Sequence, residues 1–576
     1  MTESKFDRRA ALGVLGSLGI GSIAFQRALA KEAEKQAVTV EMIADAEWVA
    51  GVELSEEQRF MAADALAKAQ KGLQEFRAEE LDNGLAPAFV FRPLEDERRP
   101  ISMLKRTEVT FRKVSVVAKP DSDEALAFLP VSELSSLIRS RRVTSTELTT
   151  LYLARLKKFD PLLKCVVTLT EELAMQQAAK ADREIQAGHY RGPLHGIPWG
   201  VKDLFSLPGH RTTWGAPLYK ERMLDDKAAV IQKLEDAGAV LIAKLTTGYF
   251  AGGDEWFGGK TRNPWNPSQG SSGSSAGSGS ATAAGLVGFS IGTETMGSII
   301  SPAERCGVTG LRPTFGRVSR YGCMALTWTL DKVGPICRTV EDCAVVLGAI
   351  HGSDRRDPSS VDRNFAWPVE SDNQAIRIGY VEDDPEFVAE ISLLRKLGFT
   401  MVPVEIEKTP AENMLPIILT TESGSLFDAL TDKQEPKGVK FWPKTFVMGQ
   451  FVTANDYIRA NRMRRRVMEH VRELFRKVDV VVGPSMNVAT NMSGHPKIAV
   501  PRGFKEHEKS KRQVPHALFM TGQLYDESTL IHVANAFQQA TEHHLARPPV
   551  EEFLGDAESF HEDADLAESG EIYTCE

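Results

Sequence analysis

The sequence has little that would bind nucleic acid, hold a metal ion or cross a bilayer. It carries 69 Lys and Arg against 78 Asp and Glu, and this acidic balance argues against nucleic-acid binding. After residue 30 no apolar run reaches the length of a bilayer span, so we expect no membrane span in the mature chain. The six cysteines include no CxxC pair or metal-site spacing, so we interpret them as structural thiols; a disulfide remains open.

The first thirty residues have the pattern of an export signal. Arg8 and Arg9 precede a Gly-rich apolar segment that ends in Ala28-Leu29-Ala30. A charged start, a short apolar run and an A-x-A ending are typical of a secretory signal. The paired arginines resemble the twin-arginine signal of proteins that are exported folded. We therefore expect residues 1–30 to direct the protein to the periplasm or another extracytoplasmic space, and an uncleaved membrane anchor is the alternative.

Three further regions follow the signal. Residues 31–120 read as a helical extension, in which Ser55 and Gln58 have the spacing of a helix capping box. Residues 121–552 alternate between helical and strand-like patterns and form the predicted main domain. Residues 553–576 contain no Lys or Arg and are predicted to be a solvated acidic tail.

Short apolar runs in the main domain predict a buried sheet. Thr144 and Glu147 open the first helix there as a second capping box. Continuous apolar runs alternate with helical stretches, which predicts a mixed sheet covered on both faces. The clearest runs are 238–245, 376–381, 399–406 and 478–485.

Three motifs resemble known catalytic or binding sites but fail in detail. "GGDEWFGGKT" (252–261) has Asp254 where a phosphate-binding loop needs glycine, and a carboxylate there would repel phosphate. "GSSAG" (273–277) fits a nucleophile elbow, but residues 263–269 predict turns rather than the required strand. "EHH" (542–544) lacks the histidine spacing of a zinc helix.

The Gly/Ser run "GSSGSSAGSGS" (270–280) has the composition of a flexible linker, but the segments that follow it are predicted to be ordered. From Ser275 onward the chain predicts a helix of Gly, Ala and Ser that would let neighbouring backbones approach closely. An apolar segment then reaches Ser298, a serine flanked by glycine. The backbone amides of Thr295, Met296, Gly297 and Ser298 could act there as oxyanion donors.

Four ordered motifs together resemble the amidase signature family. They are "GPLHGIPWGVKDLF" (192–205), "TRNPWNP" (261–267), "GSSGSSAGSGS" (270–280) and "GTETMGSIISPAERCGVTGLRPTFGRVSRYG" (292–322). The resemblance covers roughly residues 124–552 and implies an α/β fold, an α/β/α sandwich around a large mixed β-sheet, with the helical extension added at the amino terminus.

The resemblance also implies a catalytic triad. Lys202 matches the family's lysine base, Ser274 matches the bridging serine that follows a cis peptide bond, and Ser298 matches the nucleophile. This assignment makes chemical sense because serine needs an adjacent base, and a lysine is a base only when burial keeps it neutral. Lys202 follows the strand-like "GIPWGV", so we expect it at the end of a buried strand. No metal or organic cofactor is implied.

The segment around the nucleophile departs from the family pattern. Met296 and Ile300 stand where the family usually has glycine and arginine, and Glu294 stands where aspartate is common. Ala276 replaces a usual glycine and Arg305 a usual apolar residue. The resemblance therefore implies a small-molecule amide substrate without specifying which one. Residues 246–259 fit either a loop that lines the pocket or a loop on the surface, and the sequence does not decide between them.

Three functions fit these observations. The first is an amidase that hydrolyses a carboxylic amide, or an ester, through an acyl-enzyme on Ser298. The second is an A-type subunit of the glutamyl-tRNA amidotransferase, which would need partner subunits in the cytoplasm and so conflicts with an export signal. The third is an inactive binding protein on the same scaffold. The sequence leaves the oligomeric state open, including a homo-oligomer.

Overall fold

The computed structural model describes most of the chain from residue 38 to residue 556. The described ranges are 38–50, 53–63, 65–66, 83–84, 89–93, 108–112, 118–369, 371–382, 384–406, 411–431, 442–483 and 486–556. The predicted export signal and most of the predicted acidic tail lie outside them. The chain divides into two compact units, Met1–Ala86 with Pro410–Arg466 and Pro87–Thr409 with Val467–Glu576.

An 11-stranded mixed sheet forms the centre of the larger unit. Its strands, in spatial order, are β1 (Val166–Leu169), β3 (Val240–Leu245), β2 (Pro198–Lys202), β8 (Phe289–Glu294), β10 (Lys332–Cys337), β9 (Thr309–Arg312), β14 (Lys497–Glu506), β15 (Gln513–Gly522), β13 (Val480–Val482), β11 (Arg377–Tyr380) and β12 (Thr400–Pro403). β2 runs parallel to β3 and β8. The next five pairs in spatial order, β8/β10, β10/β9, β9/β14, β14/β15 and β15/β13, are antiparallel. β13, β11 and β12 are parallel again.

Side chains cover both faces at the middle of this sheet. Every residue of β2, β3, β8 and β10 is buried. Because successive side chains of a strand point to opposite faces, a strand buried throughout is covered on both sides. This arrangement confirms the α/β fold with a large mixed sheet.

Helices connect the strands of the larger unit and supply its outer layers, and further helices form the smaller unit. In chain order they are α1 (Val40–Ala50), α2 (Asp123–Ala127), α3 (Val131–Arg139), α4 (Ser145–Leu163), α5 (Glu171–Gln186), α6 (Ala229–Asp236), α7 (Ala276–Ala283), α8 (Ile300–Cys306), α9 (Val340–Ile350), α10 (Val388–Lys396), α11 (Ala411–Leu426), α12 (Asp428–Thr431), α13 (Trp442–Gly449), α14 (Ala454–Lys477), α15 (Asn487–Ser493) and α16 (Glu527–Thr541). Residues 56–63 are also helical.

The two predicted capping boxes are present. The Thr144 hydroxyl accepts a hydrogen bond from the Glu147 N–H at 3.0 Å, and the Glu147 carboxylate accepts one from the Thr144 N–H at 2.6 Å. Ser55 and Gln58 exchange the same pair of bonds at 3.3 and 2.7 Å. Each box satisfies two amides at a helix start that have no partner within the helix.

Two local expectations were wrong. Residues 263–269 were expected to form turns, yet β6 (Arg262–Asn263) and β7 (Asn266–Gly270) pair there as a small antiparallel sheet. The predicted tail begins too early, because Phe553 is buried within a 3₁₀ helix at Val550–Asp556. Apolar packing of one aromatic ring outweighs the acidic composition of that segment.

The regular elements that the structure describes in the smaller unit are helices. It contains α1, the helical residues 56–63, α11 to α13 and the start of α14. Arg59 donates to both carboxylate oxygens of Glu47 at 2.6 and 2.7 Å. Tyr457 donates its hydroxyl to Glu422 at 2.8 Å, which ties α14 to α11.

The described cysteines and helices bear on two questions that the sequence raises. Cys165, Cys306, Cys323, Cys337 and Cys343 are free thiols, whereas Cys575 lies outside the described residues. None of the helices that the structure describes is long and apolar enough to cross a bilayer.

Candidate active site

Lys202 is the last residue of β2, as the sequence predicts, and its side chain is fully buried. β2 lies between β3 and β8 in the sheet, so the lysine emerges at the carboxyl end of a central strand. Ligands and catalytic groups commonly collect at such ends, because the connections that follow the strands meet there.

Hydroxyl groups surround the Lys202 amine. Its Nζ lies 2.8 Å from Ser274 Oγ, 2.8 Å from Thr293 Oγ1 and 3.2 Å from Ser275 Oγ. A neutral amine offers two N–H donors and one lone pair. Thr293 and Ser275 can accept the two donors, which leaves the lone pair for the Ser274 hydroxyl. The contacts therefore suit a lysine that takes a proton from Ser274.

Burial lowers the pKa of Lys202 to about 7. The nearest acidic groups, Cys323, Asp331 and Glu294, oppose this shift only partly, because none of them pairs directly with the amine. Removing an ammonium from water disfavours its charged form. A substantial fraction of Lys202 is therefore neutral near pH 7, which a proton acceptor requires.

Ser274 sits where the Gly/Ser run enters α7. The peptide bond between Gly273 and Ser274 is cis, and Ser274 is buried. A Cβ at Gly277 would lie 2.4 Å from backbone atoms of both Cys165 and Thr246. The small residues of α7 thus permit close backbone packing, as the sequence predicts, and the run is not a flexible linker.

Ser298 lies in the turn between β8 and α8 and is half-buried. Gly297 before it has a φ of 86°, a left-handed conformation that favours glycine. The N–H of Ser275 donates to the Ser298 carbonyl at 3.2 Å, so this turn is joined directly to the turn that carries Ser274. The structure thereby brings the three predicted triad residues to one place.

A buried ion pair supports the nucleophile turn. Glu294 accepts hydrogen bonds from the N–H groups of Ile299 and Ile300 at 3.0 and 3.2 Å. Arg312 donates to the same carboxylate at 2.8 Å, and both side chains are fully buried. Burial opposes ionisation, but the charges of Arg312 and Lys332 hold the pKa of Glu294 at about 2. A permanent negative charge thus fixes the start of α8.

The four predicted oxyanion donors follow β8. Within the described chain, no acceptor is found for the N–H groups of Thr295, Met296, Gly297 and Ser298. The Thr295 hydroxyl donates to Asp331 at 2.6 Å, which anchors the first of them. Fixed amides without partners are the groups that can hold a developing oxyanion.

A second buried lysine lies on the neighbouring strand. Lys244 of β3 is opposite Val201 and forms an ion pair with Asp203 at 2.7 Å. Asp203 also accepts hydrogen bonds from the N–H and hydroxyl of Thr213. This network holds the chain that leaves β2 immediately after Lys202.

The loop at residues 246–259 packs against the catalytic backbone. Tyr249, Phe250 and Ala251 are buried, which excludes a simple surface loop for this half of the segment. A Cβ at Gly273 would lie 1.8 Å from the Gly253 carbonyl oxygen. The buried half of this loop therefore supports the backbone that carries Ser274.

Two of the three motifs that failed as catalytic or binding sites contribute hydrogen bonds near the triad. Asp254 accepts a hydrogen bond from the Ser272 N–H at 2.9 Å, two residues before Ser274. Ser275, the centre of the elbow-like motif, is fully buried and donates to the Thr293 carbonyl at 3.1 Å, so it is not a free nucleophile. His543 and His544 lie in a 3₁₀ turn.

Sequence reasoning missed the residues that tune the triad. Thr293, Asp254 and the Glu294–Arg312 pair were not recognised as parts of the site, although Glu294 was noted as a departure from the family pattern. Each acts across a separation of 18 or more residues, as between Asp254 and Ser272 or Glu294 and Arg312. The run of three polar residues, Thr293 to Thr295, at the end of an apolar strand was the available signal for Thr293.

Comparisons with known proteins agree with this geometry. Residues 147–529 match the family model described as Amidase. The chain is 31% identical over 482 residues to the A-type subunit of glutamyl-tRNA(Gln) amidotransferase from Methylococcus capsulatus, covering 73% of this chain and 98% of that protein. The solved structure of native peptide amidase from Stenotrophomonas maltophilia is similar with a TM-score of 0.63 at 30% identity, covering 73% and 98% of the two chains.

Proposed function

This chain belongs to the amidase family and is an amidohydrolase, and we propose that it cleaves a carboxylic amide through an acyl-enzyme on Ser298. One observation carries the proposal. The buried Lys202 amine has no carboxylate partner among the described residues, and it lies 2.8 Å from the hydroxyl of Ser274. A lysine placed in this way serves as a base.

Acylation begins when Ser298 Oγ attacks the carbonyl carbon of the amide. The Ser298 proton passes to Ser274 Oγ, whose own proton passes to Lys202 Nζ. The negative charge on the former carbonyl oxygen is held by the backbone amides of residues 295–298. The protonated triad then returns a proton to the amide nitrogen, the C–N bond breaks and the amine leaves.

Deacylation repeats the sequence with water. The neutral Lys202 again accepts a proton through Ser274, this time from the attacking water. The ester bond to Ser298 then breaks, Lys202 returns the proton through Ser274 to Ser298 Oγ, and the carboxylic acid is released. The half-buried position of Ser298, compared with the buried Ser274 and Lys202, supports these separate roles. The nucleophile can meet substrate while the base stays in a low-dielectric environment that keeps it neutral.

Active-site labelling tests the nucleophile. A fluorophosphonate probe should label the wild-type protein, and peptide mass spectrometry should place the label on Ser298. Ser298→Ala should lose both labelling and hydrolysis of a panel of small amides. Ser301→Ala is the matched control, because it removes a hydroxyl from the first turn of α8, three residues after Ser298, and it should keep both activities.

Two results would contradict the proposal. A folded wild-type protein that resists the probe would favour the inactive binding protein on the amidase scaffold. Label on Ser301 or Ser275 instead of Ser298 would show that the nucleophile is assigned to the wrong residue.

A component of an amidotransferase complex is a second candidate function, because the chain is similar to such a protein over nearly that protein's full length. In that case the purified chain would release ammonia from glutamine only after the other components are added. Hydrolysis of N-acetyl amino-acid amides by the chain alone, with no glutaminase activity, would favour the amidase.

The paired arginines also support a proposal about location. We propose that the protein is exported through a twin-arginine-type signal, which would separate it from the charged tRNA that an amidotransferase uses. Fractionation of cells that express the full chain should recover it outside the cytoplasm. Replacing Arg8 and Arg9 with lysine should retain it inside, and equal recovery of both forms outside would contradict a twin-arginine route.

A further inference from the structure

Asn487 places a polar side chain against the turn that carries the nucleophile. It is the first residue of α15, and it is only 6% exposed. A Cβ at Gly297, one residue before Ser298, would lie 3.2 Å from Asn487 Nδ2. Because neighbouring Cα atoms are about 3.8 Å apart, this nitrogen lies within about 9 Å of the Ser298 Cα. The missing side chain at Gly297 keeps the space between the nitrogen and the turn open.

The neighbours of Asn487 fix the direction in which its amide points. Arg312 Nη1 donates to Asn487 Oδ1 at 3.3 Å, and Asn491 Nδ2 donates to the same oxygen at 3.0 Å. A guanidinium only donates, so the amide atom that faces Arg312 has to be the oxygen. Arg312 is itself held by Glu294 at 2.8 Å. The Asn487 amide is therefore fixed with its nitrogen towards Gly297.

The Asn487 nitrogen is a donor that lacks an acceptor in the described part of the chain. Only the oxygen of this side-chain amide takes part in hydrogen bonds there. The nitrogen is not one of the fully buried polar atoms, so it keeps a path to solvent although the side chain as a whole is buried. The Ser301 hydroxyl borders the same space. A fixed, unpaired donor that can be reached from outside is a group that a ligand can use.

The sheet indicates which part of the substrate meets Asn487. Lys202 lies on β2, to one side of β8, whereas Arg312 lies on β9, to the other side. The nitrogen of the scissile amide has to face the relay, because Ser274 returns a proton to it. The acyl group then extends to the opposite side, towards Asn487.

We propose that Asn487 selects the acyl group of the substrate by donating from Nδ2 to an oxygen that the acyl chain carries beside the scissile carbonyl. This inference rests on the proposed function, since it needs an acyl group on Ser298. The charge of Arg312 at the Asn487 oxygen polarises the amide and strengthens the bond. A methylene in place of the acceptor leaves the donor unpaired once the acyl group has displaced water. The favoured substrates are therefore amides of acids that bear an ether or carbonyl oxygen at this position.

Three matched acyl groups test this selection. The p-nitrophenyl esters of phenoxyacetate, 3-phenylpropanoate and N-phenylglycine present an ether oxygen, a methylene and an N–H at the same position. An activated ester acylates a reactive serine whatever its natural leaving group, and release of nitrophenolate gives kcat/KM. The intrinsic reactivity of each ester cancels when the ratio of two esters in a variant is divided by the same ratio in the wild-type protein.

Asn487→Asp is the sharpest variant, because it keeps the oxygen that Arg312 and Asn491 contact and turns the donor nitrogen into an acceptor. The phenoxyacetyl to phenylpropanoyl ratio should fall about tenfold or more, and the N-phenylglycyl to phenylpropanoyl ratio should rise. Asn487→Ala should lower the first ratio without raising the second. Asn455→Asp adds the same charge at an exposed position of α14 and should leave both ratios unchanged.

Two outcomes would overturn this inference alone. Unchanged ratios in folded Asn487→Asp, or in Asn487→Ala if the first variant does not fold, would show a structural role, which slows all three esters alike. Failure of all three esters to acylate Ser298 while fluorophosphonate still labels it would show that such acyl groups do not reach Asn487. Absence of fluorophosphonate labelling would contradict the proposed function itself and this inference with it, so the two failures can be told apart.

Discussion

Lys202 and Lys244 lie on neighbouring strands and are equally buried, but their side chains contact different partners. Both side chains are fully buried, and burial lowers the pKa of each. Lys244 forms an ion pair with Asp203 at 2.7 Å. Lys202 meets only hydroxyl groups and a carbonyl within hydrogen-bond distance.

The difference shows that the partner, rather than the burial, decides what a buried lysine does. A carboxylate at contact distance stabilises the ammonium and makes Lys244 a structural cation. Hydroxyl groups stabilise the ammonium far less, so Lys202 is free to lose its proton near neutral pH. Adjacent strands of one sheet thus carry a structural lysine, Lys244, and a catalytic base, Lys202, both at the carboxyl ends of their strands.

The largest expected effect is on turnover. Lys202→Met removes the base while filling the same buried space, so we expect a loss of about 10³-fold or more in kcat/KM. The melting temperature should be unchanged or higher, because a buried amine without a charged partner is removed. Steady-state hydrolysis and calorimetry on the same preparation measure both quantities. Retention of more than a tenth of the activity would exclude Lys202 as the base.

The matched substitution of Lys244 should lower the stability of the fold rather than the turnover. Lys244→Met leaves the Asp203 carboxylate buried without its cation, which typically costs about 3–5 kcal/mol of the free energy of unfolding. Denaturant titration measures this loss, and the double variant Asp203→Asn/Lys244→Met should recover part of it. If Lys244→Met instead proved as stable as wild type, the ion pair between Lys244 and Asp203 would not stabilise the fold.

The apolar runs of the sequence predicted part of the main sheet. Four apolar runs were recognised as strands, and two of these strands, β3 and β13, are buried throughout, since continuous burial leaves a continuous apolar pattern. The hairpin of β14 and β15 was missed, since Pro501 and the charged residues beside it obscure the pattern. The grouping of residues 410–466 with the amino-terminal helices depends on contacts distant in sequence, which composition does not reveal.

At the site, motifs identified the reacting residues but not their environment. Lys202, Ser274 and Ser298 stand in motifs that can be read locally. The low pKa of Lys202 depends on the closeness of three chain segments, and the ion pair of Glu294 joins β8 to β9. Such effects arise from tertiary burial, so they become visible only when the strands are in place.

A pH profile sharpens the comparison between the lysines. Because the pKa of Lys202 is about 7, kcat/KM should rise about tenfold per pH unit below 7 and level off above it. In the unfolded chain the lysine keeps its ordinary pKa of 10.5, so the folded state binds fewer protons between pH 7 and 10.5. Stability relative to Lys202→Met should therefore rise with pH across this window. A profile without the acidic limb would contradict the neutral-lysine mechanism.

The smallest expected effect tests how the hydroxyl groups set the Lys202 pKa. Thr293→Val removes the Oγ1 that accepts from the Lys202 amine at 2.8 Å but keeps the shape of the side chain. Because that oxygen favours the ammonium form, its loss should move the acidic limb down by about half to one pH unit. The plateau should fall several-fold, since the lone pair is no longer aimed at Ser274. Thr293→Ser retains the hydroxyl and should restore both, whereas a purely structural role for Thr293 would lower the melting temperature and leave the limb in place.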